Sequence, residues 1–103
     1  MRVIQSEEFN DIIKSEKPTI VDFFATWCGP CKMLSPILEQ VDASSNGEYN
    51  VVKVDVDESY DIAKQFGIMS VPTMIVFKNG EEKEKIIGLR QKTQIEECVK
   101  KYI

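Results

Sequence analysis

The stretch "VDFFATWCGPCK", Val21 to Lys32, decides how this chain folds. It opens as an apolar run, carries one aspartate, and ends in two cysteines held two residues apart. The run begins slightly earlier: "PTIVDFFAT" is almost continuously apolar, the pattern of a strand covered on both faces, as in a parallel sheet. Beyond the cysteines, Met33, Leu34, Ile37, Leu38 and Val41 recur at helical spacing, which predicts a helix from Pro30 to about Ala43. Pro36 lies inside that helix and removes its bond to the Lys32 carbonyl, so a kink is expected there. A buried strand thus passes directly into a helix, with a cysteine pair at the turn.

Working outward, Val3-Ile4 reads as a short edge strand, and Ser6 as the cap of a helix whose apolar face is Phe9, Ile12 and Ile13. "NVVKVDV" is a second buried strand, and "SYDIAKQFG" a short helix closed by Gly67. "TMIVF" is a third apolar run. Asn79-Gly80 after it is a two-residue hairpin signal, joining it to the charged strand "EEKEKIIG", whose alternating charges suit a sheet edge. The final helix, about Lys92 to Tyr102, turns Ile95, Cys98, Val99 and Tyr102 to one side. The first half calls for right-handed crossovers between parallel strands, and the hairpin adds an antiparallel pair. The expected architecture is α/β, a central mixed five-stranded sheet flanked by four helices, with residues 1–103 as one domain.

With 103 residues the chain can build a core without disulfide or metal support. Its net charge of -4 and pI near 4.8 argue against nucleic-acid and anionic-membrane partners. The N-terminus "MRVIQSEEF" does not read as a signal peptide, and no apolar run nears the roughly 18 residues of a membrane span. A cytoplasmic protein is expected, in a compartment where structural disulfides are rare.

Three chemistries compete for the cysteine pair. A structural zinc site wants four ligands, and this chain has three cysteines and no histidine. Two spectator thiols would leave unexplained the Gly29-Pro30 between them and the Trp27 just before. Redox exchange accounts for the placement. Cys28 falls at the start of the helix, where free backbone N–H groups and the positive dipole end favour a thiolate, the nucleophile of disulfide exchange. Cys31 sits one turn later, within reach of a mixed disulfide on Cys28. Pro30 suits the first helical turn, and Gly29 leaves the turn open to a partner.

On these residues the chain resembles the thioredoxin family along essentially its whole length. "WCGPC", residues 27 to 31, is that family's active-site motif, and "VDFFATWCGPCKMLSPIL", "SVPT", "VFKNGE" and the glycine of "IIGL" follow in family order. The resemblance implies a protein disulfide reductase with no bound cofactor, whose redox group is a reversible Cys28–Cys31 disulfide. It would draw electrons from an NADPH-dependent flavoprotein thioredoxin reductase, pass them to disulfide-containing proteins, and act as a monomer. It further implies that Cys28 attacks and Cys31 resolves. Asp22 matches a buried aspartate beneath the pair, and Lys53 the lysine near it. Pro72, after Val71, matches a cis-proline that exposes the Val71 backbone for a substrate strand. Trp27, Gly29, Pro30, Val71, Pro72 and Gly88 would form a flat apolar docking patch, with Met69 beside it. Phe24 departs from the family, since many bacterial members carry tryptophan there.

Two rival functions remain at this level. A disulfide oxidase or isomerase often carries a histidine between its cysteines, which this chain lacks. A binding subunit would use the patch without turnover. Cys98 reads as a free buried thiol, and Lys32 and the acidic 81–84 stretch as solvated surface.

Overall fold

The computed structural model describes residues 1–103. Its elements run β1 (Arg2–Val3), α1 (Ser6–Ile13), β2 (Thr19–Phe24), α2 (Gly29–Ala43), β3 (Asn50–Asp55), α3 (Tyr60–Gln65), β4 (Thr73–Lys78), β5 (Glu81–Ile87) and α4 (Lys92–Lys100). They form one five-stranded sheet in the order β1-β3-β2-β4-β5 with four helices around it, the expected α/β architecture. β1, β3 and β2 are parallel. β4 is antiparallel to both β2 and β5, so the reversal begins one strand earlier than the hairpin alone indicates.

The apolar run of β2 makes it the central strand, and its alternation sorts the core. Ile20 joins Leu34, Leu38 and Val41 of α2, Ile95 and Val99 of α4, Val51 of β3, and Met74 and Val76 of β4 on one face. Val21 and Phe23 join Phe9 and Ile13 of α1, Ile62 of α3, Val52 and Val54 of β3, and Ile75 and Phe77 of β4 on the other. Each such side chain contributes about 1.5–3 kcal/mol by leaving water. Phe9, Phe66 and Phe77 stack edge-on or tilted at centroid distances of 5.1–5.6 Å. Asp22 falls between Ile20 and Phe24 on the α2/α4 face, the one acidic residue in β2.

The hairpin is set by backbone chemistry. Asn79 (φ 54°) and Gly80 (φ 81°) both adopt positive φ, as a two-residue turn matched to strand twist requires. The tip is anchored to the end of α1: Asn79 N–H donates to Ser15 O (2.9 Å) and Gly80 N–H to Ile13 O (2.8 Å).

Several expectations change. Gln5, not Ser6, caps α1, its N–H donating to Glu8 Oε1 (3.1 Å), while Ser6 Oγ donates to Asp61 Oδ1 on α3 (2.6 Å). Met33 is 61% exposed, because it lies about 100° around the helix from the Leu34–Leu38 stripe. Glu84 is not free surface. Its Oε2 accepts from Cys98 Sγ (2.9 Å) and Tyr102 Oη (3.2 Å), and its Oε1 from Lys101 Nζ (3.0 Å). β5 is an edge strand, yet this carboxylate points inward and fastens α4 and the residues after it. No helix is long and apolar enough to cross a membrane.

Candidate active site

The local chemistry of residues 24 to 31 places the cysteines. β2 ends at Phe24, whose carbonyl accepts from Val56 N–H (2.9 Å), and the chain turns through Thr26 and Trp27. Cys28 is the N-cap of α2, with extended backbone (φ -89°, ψ 114°) and Pro30 in the first turn, where its missing N–H costs nothing. Helix geometry then brings residue 31 over residue 28. The Cα atoms are 5.3 Å apart and the sulfurs are joined as a disulfide. The Cys31 N–H donates to Cys28 Sγ (3.2 Å). That amide and the helix end favour negative charge on the Cys28 sulfur once the bond is reduced. Both cysteines are buried, Cys28 at 4% and Cys31 at 3% exposure, so exchange takes place at a largely desolvated sulfur.

Cys28 Sγ lies 3.6 Å from Val71 O. The Val71–Pro72 bond is cis. Pro72 O accepts from Gly88 N–H (2.9 Å), and Thr73 Oγ1 donates to Ser70 O (2.8 Å), which ties this loop to β5 and to itself. Gly88 adopts φ +92°, and a side chain there would crowd Arg90 Nη1 at 3.3 Å. The six patch residues are therefore brought together around Cys28: Trp27, Gly29 and Pro30 exposed, Val71 and Gly88 half-buried, and Pro72 buried behind them. Trp27 is 70% exposed and Met69 beside it is 98% exposed. Trp27, Val56, Ile68, Met69, Ser70 and Val71 line an apolar pocket of about 160 Å³ next to the disulfide.

In β2, Asp22 is fully buried and neither carboxylate oxygen has a hydrogen-bond partner. Burial disfavours its charged form and pushes its pKa from the ordinary 3.8 up to about 7, against a weaker downward pull from Lys53. Lys53 is the register partner of Asp22 on β3, but its Nζ donates to Ser35 Oγ (3.4 Å) and lies 4.3 Å over the Phe24 ring. Cys98, on α4, is 7% exposed and donates to Glu84, its thiol pushed up to about 12 by burial and by that carboxylate. No group of three or more His, Cys, Asp or Glu side chains comes together to hold a metal ion. The largest concavity, about 680 Å³, lies away from the cysteines beside Met1, Arg2, Asp11 and Asn50.

A cysteine pair at a helix N-cap, joined as a disulfide, is a thiol–disulfide exchange centre, and comparison with known proteins agrees. The family model described as Thioredoxin matches residues 1–101. The chain belongs to the thioredoxin family. It is 42% identical over 101 residues to a thioredoxin of Rickettsia felis, covering 98% of this chain and 96% of that one. It is also similar to the solved thioredoxin of Malassezia sympodialis (Mala s 13), with a TM-score of 0.89, 34% identity, and coverage of 99% of this chain and 90% of that one. A third relative, from Mycobacterium leprae, is named a bifunctional thioredoxin reductase/thioredoxin; it is 40% identical over 95 residues, which are 92% of this chain but 21% of that protein. Like other thioredoxins, this chain is a protein disulfide oxidoreductase working through dithiol–disulfide exchange.

Two contributors escaped the sequence. Asp57 Oδ2 accepts from Trp27 Nε1 (3.0 Å) and holds the indole against the β3–α3 loop, which Asp55 Oδ1 shapes by accepting from Asp57 N–H (2.9 Å). The D-x-D spacing after β3 hints at the turn but not at its partner. Ser35 carried no signal, because a serine inside a helix is ordinarily solvated.

Proposed function

We propose that this thioredoxin-family chain works as a general protein disulfide reductase, re-reduced by an NADPH-dependent flavoprotein thioredoxin reductase. The observation that carries this reading is the Cys28–Cys31 disulfide at the N-cap of α2, with Gly29-Pro30 and no histidine between the cysteines. In the dithiol form, the Cys28 thiolate attacks one sulfur of a substrate disulfide. A mixed disulfide forms and the other substrate sulfur leaves as a thiolate. Asp22 then takes the Cys31 proton as Cys31 attacks Cys28 Sγ, releasing the second substrate thiolate and closing Cys28–Cys31. Both substrate thiolates take up protons, and two electrons from the reductase reopen the pair. Lys53 tunes the charge balance at Asp22.

The substrate would dock as an extended segment on Trp27, Gly29, Pro30, Val71, Pro72 and Gly88, pairing with the Val71 backbone. A fused reductase and thioredoxin in the Mycobacterium leprae relative supports a reductase as the electron source. A monomer in the cytoplasm, where glutathione and reductases keep thiols reduced, fits this direction of flow. NADPH-coupled reduction of a small protein disulfide, with the dithiol potential measured alongside, tests it. Turnover and a reducing potential support the reductase. A potential near the oxidising end of the family would make it an oxidase or isomerase. Partner capture that survives replacement of both cysteines by serine would make it a binding subunit.

A further inference from the structure

Asp22 and Lys53 are direct register partners in the parallel pair of β2 and β3, so their side chains leave the sheet on one face. Register alone would deliver a lysine to this carboxyl. Yet both Asp22 oxygens are orphaned, and Lys53 is engaged elsewhere. Its Nζ donates to Ser35 Oγ and sits over the Phe24 ring. Ser35 follows Cys31 by four residues in α2, one turn on, and therefore shares its helix face. Phe24, Cys31, Ser35 and Lys53 line a single pocket of about 320 Å³.

We propose that Ser35 is a positioning residue for the exchange reaction: with the Phe24 ring it moors the Lys53 ammonium at this pocket and keeps it from ion-pairing with Asp22, leaving the carboxyl able to accept the Cys31 proton. The inference rests on Asp22 acting as the base for Cys31. Its physical basis is competition between acceptors. An ammonium on a flexible stem goes to the best available partner, and an unpaired buried carboxylate is a stronger acceptor than a hydroxyl. A hydroxyl and an aromatic face acting together tip the balance. Once paired with lysine, Asp22 would hold its charge too firmly to bind a proton near neutral pH. Lys53 is the charge that acts on Asp22; Lys32 lines the same pocket from α2, and Asp55, the register partner of Phe24 on β3, is turned to the Asp57 and Glu58 N–H groups. α2 presents the cysteine pair, β4 presents Met74, which does not titrate, and α4 presents Ile95, Val99 and a Cys98 already bonded to Glu84.

The test is a carboxyl-carbon NMR titration of Asp22 in the oxidised protein, beside single-turnover rates of mixed-disulfide resolution across pH. Ser35→Ala should lower the Asp22 midpoint by about 1 pH unit, the shift an approaching opposite charge produces. The acid limb of the resolution profile should move with it, while the first attack by Cys28 keeps its rate. Ser35→Thr restores a hydroxyl on the same carbon and should keep the wild-type midpoint. In a Lys53→Met background, Ser35→Ala should have no further effect on it. An unmoved midpoint in Ser35→Ala, or an equal fall in Ser35→Thr, overturns the proposal. Asp22→Asn separates the two levels. If it resolves mixed disulfides at the wild-type rate, the base assignment falls and the catalytic half of this proposal with it. The titration then still decides whether Ser35 moors Lys53.

Discussion

Replacing Asp22 by asparagine keeps the shape of the side chain and removes its ability to ionise. The buried carboxyl titrates at about 7 against an ordinary 3.8. Between those values the native state holds a proton that the unfolded chain has released. The group's contribution to stability is therefore fully present below 3.8 and declines as pH rises through the folded pKa. The gap is about 3 pH units at about 1.4 kcal/mol each, so wild type forgoes about 4 kcal/mol at and above neutrality as an upper bound. Asp22→Asn does not bear that cost. It should be the more stable protein at pH 8, with an advantage approaching that bound and vanishing as pH falls toward 4. With a urea m-value of about 2 kcal/mol/M, the midpoints should differ by up to about 2 M at pH 8. The assay is urea unfolding of both oxidised proteins at several pH values. A difference that stays constant with pH would refute the reasoning, because it would mean that Asp22 is charged in the folded state throughout. The same substitution should slow resolution of the mixed disulfide and spare its formation.

Cys28→Ser should abolish reduction with the fold intact, whereas Cys31→Ser should still attack and then accumulate as mixed disulfides visible on non-reducing gels. Faster alkylation of Cys31 than of Cys28 in the reduced protein at neutral pH would reverse those roles. Cys98→Ala should leave turnover unchanged and cost about 1–2 kcal/mol in denaturant unfolding, from a lost buried group and its hydrogen bond to Glu84. A large activity loss at unchanged stability would instead mark a third redox thiol. Trp27→Ala opens one wall of the pocket beside the disulfide. It should raise KM for protein substrates while leaving the rate with a small aromatic disulfide near wild type, and equal losses on both would place Trp27 in the chemistry.

Much of this molecule was legible because its signals are local and redundant. The apolar run of β2, the helical stripe of α2 and the Asn79-Gly80 turn each state their own conformation, and the cysteine spacing states where strand gives way to helix. Burial of Asp22 followed from its place in a two-sided strand. What the sequence concealed were contacts between residues far apart whose own types are ambiguous. Glu84 looks like any charge on an edge strand until α4 brings Cys98, Lys101 and Tyr102 to it. Gln5 outcompeted Ser6 as a cap because Asp61, 55 residues on, claims the serine hydroxyl. Asp57 and Ser35 gain meaning only from the side chains that tertiary packing delivers to them. The antiparallel setting of β4 against β2 is likewise a property of the whole sheet.

The Cys98–Glu84 contact gives this chain a built-in gauge of its own local opening. In the oxidised protein Cys28 and Cys31 are bonded to each other and cannot be alkylated, so Cys98 is the sole thiol left. Shielded by packing and held protonated by a neighbouring carboxylate, it reacts only when the last helix lifts from the sheet. Its labelling rate, relative to a free thiol under the same conditions, thus counts how often α4 detaches. Comparing that count with global unfolding shows whether the C-terminal helix leaves alone or together with the rest of the fold.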